Sequence, residues 1–160
     1  MIHDEVEILY VEDDPADAEL TLAAMRRSKM ANTIHIARDG AEALDFLFCQ
    51  GPHSGREFLA PKFVLLDLKL PKVNGIEVLR AIRSDPRTEF VPVVILTSSL
   101  EQKDLIDSYK LHVNSYVQKP VDFEKFQQIV QQLGLYWLIV NQPVPAKTSA
   151  AATASGQAGD

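Results

Sequence analysis

Four sets of side chains could do chemistry together. Asp67 closes the apolar run Phe63-Val64-Leu65-Leu66, Glu12 and Asp13 follow Val6–Val11, Thr97 follows Val91–Leu96, and Lys119 comes shortly after Ser115-Tyr116-Val117. Carboxylates clustered without histidine or cysteine suit a hard, oxygen-seeking cation such as Mg²⁺ (or Mn²⁺). A hydroxyl and an ammonium opposite that cation suit an anion whose oxygens need donors, and a phosphate bridging the metal and Lys119 satisfies both halves. Carboxylates form acyl phosphates, so an aspartate nucleophile that carries phosphate is a coherent reading of Asp67. Taken singly, each residue has an ordinary explanation: a solvated strand-end acid, a strand-end cap, a solvated lysine, and for Tyr116 half-buried packing. Only convergence makes them a site.

The elements that must position them are legible in the pattern. Apolar runs at Phe63–Leu66 and Val91–Leu96 predict strands buried on both faces, and Val6–Val11, Thr33–Ala37 and Ser115–Val117 are further, short strand candidates. Between them, apolar residues at helical spacing (Ala18, Leu22 and Met25; Ala41, Leu44, Leu47 and Phe48; Ile76, Leu79 and Ile82) predict helices, with a weaker one over Leu100–Leu111. Asp14-Pro15 fits a helix start, Asp39-Gly40 a turn, and Asn74-Gly75 a loop leading into a helix. Cys49–Pro61 has two glycines, two prolines and no period, and is expected to be a long surface loop. His35 reads as a packed or edge residue rather than a ligand. Five β-α alternations specify an α/β fold: a doubly wound parallel sheet with right-handed crossovers. In such sheets the carboxyl ends of the strands share one edge, where ligands bind, and all the candidate groups land there.

Bulk properties narrow the class. The chain has 160 residues, 46% hydrophobic and 24% charged, which suits one globular domain. A net charge of -6 argues against nonspecific nucleic-acid binding. With one cysteine, Cys49, there is no internal disulfide, and neither a secretory signal nor an eighteen-residue apolar run is visible. The expectation is a cytoplasmic protein with no membrane segment. The clearest period, Phe123, Phe126, Val130, Leu133, Trp137 and Val140, marks an extended last helix ending at Pro143. Residues 1–142 are thus expected to form the domain, and the Ala/Ser/Thr/Gly-rich residues 143–160 a disordered tail. Leu135–Val140 is apolar on every side, and this surplus is expected to make Leu135, Trp137 and Leu138 a homodimer surface, the alternative being that the run folds back on its own domain.

The spacings are specific. From Asp67 it is 4 residues to Pro71, 8 to Gly75, 30 to Thr97, 49 to Tyr116 and 52 to Lys119. With Glu12-Asp13, this resembles the receiver domain of two-component response regulators over residues 6 to 140. The Glu12–Asp17 opening, the Ser108–Asn114 stretch and Tyr136-Trp137-Leu138 are most similar to the small single-domain regulators of bacterial phytochromes. The resemblance implies a (βα)5 flavodoxin-like sheet of strand order 2-1-3-4-5. It also implies phosphoryl transfer from a sensor histidine kinase, a bacterial phytochrome in this subgroup, onto Asp67. In that scheme Asp13, Asp67 and the backbone carbonyl of Lys69 bind Mg²⁺, with Glu12 acting through water. Thr97 and Lys119 meet the phosphoryl oxygens, Lys119-Pro120 is cis, and Tyr116 is an aromatic switch. Such a protein is not an enzyme, beyond self-catalysed phosphotransfer and slow dephosphorylation. Glu12 stands where the family more often has aspartate.

Other readings fare worse. An aspartyl-phosphate hydrolase needs an acid two residues after the nucleophile, where this chain has Lys69. A nucleotide-binding module wants a glycine-rich turn after a strand, and none of the predicted strands has one. The remaining rival is a receiver-fold scaffold that signals through contacts without phosphorylation.

Overall fold

The computed structural model describes residues 6–27, 33–68, 70–97 and 111–134. Five parallel strands, β1 (Ile8–Val11), β2 (Ile34–Ala37), β3 (Phe63–Asp67), β4 (Val93–Thr97) and β5 (Ser115–Gln118), form one sheet in the order β2-β1-β3-β4-β5. The described helices are α1 (Pro15–Arg27), α2 (Gly40–Leu47), α3 (Gly75–Ser84) and α4 (Phe123–Leu133). This is the flavodoxin-like order expected from the sequence.

Strand periodicity explains why the runs are apolar throughout. Ile8, Tyr10, Phe63, Leu65, Val94 and Leu96 face a core completed by α1 and α4, while Leu9, Val11, Val64, Leu66, Val93 and Ile95 face a second core completed by α2 and α3. With helices on both sides, neither parity of a strand is left for polar residues. The register aligns Val11 with Leu66 and Asp67 with Leu96. Thr97 is level with Gln118. Strand ends and the acids beyond them therefore lie along one edge.

Local chemistry sets the helix starts. The Asp14 carboxylate accepts from the Ala16 and Asp17 N–H groups at 2.8 and 3.2 Å, as the cap reading required. Asn74 and Glu77 form a reciprocal capping box, so Asn74-Gly75 opens a helix rather than a hairpin. Asp39-Gly40, read as a turn, is instead the cap and first residue of α2, with Asp39 accepting from Glu42 N–H at 2.7 Å. The glycine serves close packing there: a Cβ on Gly40 would collide with the Val73 carbonyl. Cys49–Pro61 contains a short 3₁₀ turn, Gly51–His53, tied down by Arg56, which donates to the Phe46 carbonyl. α4 closes at Gly134, whose φ is 67°. The expected helix over Leu100–Leu111, apart from Leu111 itself, the Leu135–Val140 run and the 143–160 tail lie outside the described residues.

Candidate phosphoacceptor site

β1 and β3 are neighbours, but their following connections lead to opposite sides of the sheet. This is the topological switch point where open α/β sheets bind ligands. Glu12 and Asp13 lie directly beyond β1 and Asp67 is the last residue of β3. Each of the three offers a carboxylate oxygen, and these atoms lie within 4.8 Å of one another. Glu12 and Asp67 are buried and Asp13 is exposed. The floor is thus desolvated and one acid faces water.

Lys119 organises the floor. Its Nζ lies 3.1 Å from both Glu12 carboxylate oxygens, 2.9 Å from Asp67 Oδ2 and 2.8 Å from Asp17 Oδ2. The Lys119 side chain is only 8% exposed. Its backbone N–H donates to the Thr97 carbonyl at 2.8 Å, which joins β4's end to the same cluster. The Lys119-Pro120 peptide is cis, as the family resemblance implied. Gly75 meets the cluster from the far side, donating its N–H to the Leu68 carbonyl at 2.8 Å. A Cβ on Gly75 would collide with the Asp67 backbone, so this position accepts no side chain without moving the acid.

Charge is unevenly matched. Among the described residues, Glu12, Asp17 and Asp67 share the Lys119 ammonium, and the Asp13 carboxylate lies within 4.8 Å of those of Glu12 and Asp67. Burial, then the nearby Asp67 carboxylate, pushes the Glu12 carboxyl up to about 7, with Lys119 pulling the other way. Burial works to lower the Lys119 ammonium's pKa, but bonds to Asp17 and Asp67 and the Glu12 charge outweigh it and hold it raised. Tyr10, buried beneath, donates its hydroxyl to Glu12 Oε1 at 3.3 Å, and burial raises its own pKa.

The Glu12 shift has a measurable consequence. A carboxyl raised from 4.5 to about 7 favours the folded state while it is protonated, and that advantage is lost as pH rises through this window. Glu12→Gln, which mimics the protonated form, should therefore gain on wild type by about 2–3 kcal/mol between pH 5 and 8, at ~1.4 kcal/mol per unit. Urea unfolding in EDTA at both pH values measures this, and a constant difference would show that Glu12 does not titrate in that range.

The donor set fits a divalent cation of the Mg²⁺ type: oxygen ligands, no imidazole or thiolate, and room on the exposed Asp13 side for water. Glu12 is engaged by Lys119, Tyr10 and the Asp14 N–H (3.4 Å), which suits the expected indirect role better than direct ligation. Lys69, whose carbonyl was the other expected ligand, lies outside the described residues. Thr97 is buried at the end of β4. Tyr116 lies two residues before Gln118 on β5, level with Ile95, half-buried against the α2–α3 core. Sequence reasoning missed Asp17. Its only signal was an acid one helical turn beyond Asp13 in the first turn of α1, where the helix dipole alone accounts for it.

Comparison with known proteins agrees. Residues 8–131 match the family described as response regulator receiver domain. The structure of the bacteriophytochrome response regulator RtBRR is similar at TM-score 0.77 and 51% identity, covering 86% of this chain and 83% of that one. The Mn²⁺-bound form of response regulator Rcp1, a protein of Synechocystis sp., superposes at TM-score 0.69 with 39% identity over 87% of this chain and 98% of that one. Among curated sequences, the probable methanogenesis regulatory protein FilR2 of Methanothrix harundinacea is 44% identical over 87% of this chain and 88% of its own. The chain therefore belongs to the response regulator receiver domain family, close to the bacteriophytochrome response regulators.

Proposed function

We propose that Asp67 accepts a phosphoryl group from a sensor histidine kinase and that the phosphorylated domain signals through protein contacts, in the cytoplasm. The observation that carries this is the 2.9 Å contact between Asp67 Oδ2 and a buried Lys119 Nζ at the switch point, beside an exposed Asp13. An Asp67 oxygen attacks phosphorus, a P–O bond forms, and the P–N bond to the kinase imidazole breaks with its electron pair leaving on nitrogen. Asp13 and Asp67 would hold Mg²⁺, which when bound neutralises charge on the transferring oxygens. Lys119 supplies a fixed cation to those oxygens and Thr97 a hydroxyl donor, so the domain works by positioning and charge stabilisation. Tyr116 follows Thr97 as the switch. Similarity to bacteriophytochrome regulators supports a phytochrome as the kinase partner.

The test is intact mass after incubation with acetyl phosphate. One phosphoryl group is expected per chain with Mg²⁺ and none with EDTA. No uptake with Mg²⁺ would return the molecule to the contact-only scaffold.

Residues 1–142 constitute the receiver unit in this reading, with 143–160 a tail beyond it. The apolar run Leu135–Val140 is its homodimer surface, an assignment resting on sequence alone. Light scattering should show Trp137→Ala and Leu138→Asp halving the mass, and an unchanged mass would remove the dimer.

A further inference from the structure

A second group of ligating side chains lies outside the Lys119 cluster. His35 comes from β2, Glu42 from the first turn of α2, and His53 from the 3₁₀ turn Gly51–His53. Their nearest ligand atoms all lie within 4.8 Å of one another, and all three residues are half-buried. His35 Nε2 is 3.3 Å from Glu42 Oε2 but makes no hydrogen bond, although the atom is buried. Glu42 is held in place by its other oxygen, Oε1, which accepts from the Arg38 N–H at 2.9 Å. The His35 ring is fixed too, stacked on Phe46 with centroids 4.0 Å apart, while His53 meets both rings edge-on at 5.4 and 5.3 Å.

We propose that His35, Glu42 and His53 form a second cation site, for a borderline transition-metal ion such as Zn²⁺, with water in the fourth position. Two imidazoles and a carboxylate are a common Zn²⁺ donor set, with bonds of about 2.0–2.2 Å. Donors around a tetrahedral ion then stand about 3.4 Å apart. His35 and Glu42 already meet that spacing. His53, whose ligand atom lies within 4.8 Å of the other two, has to close the remaining gap by a rotation of its side chain. Aromatic packing accounts for the His35–Phe46 stack, while the buried His35 nitrogen faces Glu42 at ion-pair distance but out of line for a hydrogen bond. A metal ion satisfies both at once. Burial lowers the His35 pKa, with His53 and Arg56 acting in the same direction and Glu42 opposing them. Arg56 is the adverse feature: it stacks over Phe46 at 3.8 Å and donates its backbone N–H to the His53 carbonyl at 3.0 Å, so it anchors the turn while adding positive charge nearby. Ligand chemistry keeps the two sites apart, since Mg²⁺ prefers the all-oxygen cluster and the imidazoles select the softer ion.

The experiment is a Zn²⁺ titration of the full chain against a chromophoric chelator, in millimolar Mg²⁺ to occupy the acidic pocket. One Zn²⁺ per chain is expected. His53→Ala and Glu42→Gln, both on the surface side of the fold, should each weaken it about tenfold or more, and Asp67→Asn should leave it unchanged. Uptake of phosphate from acetyl phosphate by the first two variants reports that they are folded. Absence of stoichiometric binding, equal binding by wild type and both site variants, or loss of binding in Asp67→Asn would each overturn the proposal.

Discussion

Asp67→Asn is expected to take up no phosphoryl group under conditions where wild type takes up one, as read by intact mass after treatment with acetyl phosphate and Mg²⁺. The substitution keeps the shape and an acceptor for Lys119, because an amide oxygen can replace Oδ2 at 2.9 Å. What it removes is the nucleophile: a neutral amide does not attack phosphorus as a carboxylate does. The same change should make the metal-free protein more stable, by about 1 kcal/mol in urea unfolding with EDTA. Three carboxylates share the Lys119 ammonium with Asp13 close by, and removing one negative charge relieves repulsion while Glu12 and Asp17 keep Lys119 paired. Stability sacrificed for an acidic pocket is the usual trade at a functional site. The two readouts are independent. Equal labelling of variant and wild type would move the acceptor elsewhere, and a large loss of stability would show that Asp67 is held for folding rather than for chemistry.

How much of this was legible follows from what each residue's position depends on. Asp67, Thr97 and Lys119 were readable because they follow apolar runs, and parallel strands have only one edge to which they can deliver such residues. Asn74 was readable because its cap partner is three residues away. Asp39-Gly40 was not, since the turn reading missed the approach of Val73, thirty-odd residues distant, that demands a glycine. Asp17 was hidden for a similar reason. Nothing local tells a helix-start acid that its partner is a lysine beyond β5, and only the packing of α1 beside the site brings Oδ2 to 2.8 Å. Glu12 looked like a longer aspartate. In the fold its added length lets both oxygens reach Lys119 while Tyr10 holds one of them. His35 was read as a packed or edge residue rather than a ligand; it does stack on Phe46, but that reading could not include His53, whose turn has no periodic signal. Lys69 and the Leu135–Val140 run remain sequence readings, lying outside the described residues.

Lys119→Met should have the largest effect on the fold and on the proposed reaction together. Methionine matches the aliphatic stem but leaves Glu12, Asp17 and Asp67 without their shared cation. Removing one partner of a buried ion pair costs about 3–5 kcal/mol, because the charge left behind has lost both water and counter-ion. Protonation limits this loss. Glu12 already titrates at about 7 with the lysine present, and without it the carboxyl rises further, so at pH 5.5 the proton replaces the ammonium. The expected destabilisation is therefore about 3 kcal/mol at pH 8 and about 1 kcal/mol at pH 5.5 in EDTA. Mg²⁺ should recover part of the loss at pH 8 by supplying positive charge to the same oxygens. Labelling by acetyl phosphate should slow about a hundredfold, the usual cost of losing one preorganised charge at a transition state. Urea unfolding at the two pH values, with and without Mg²⁺, separates these contributions. If stability at pH 8 were unchanged, the carboxylates around Lys119 would not depend on it as a counter-ion, and the electrostatic account of the pocket would fail.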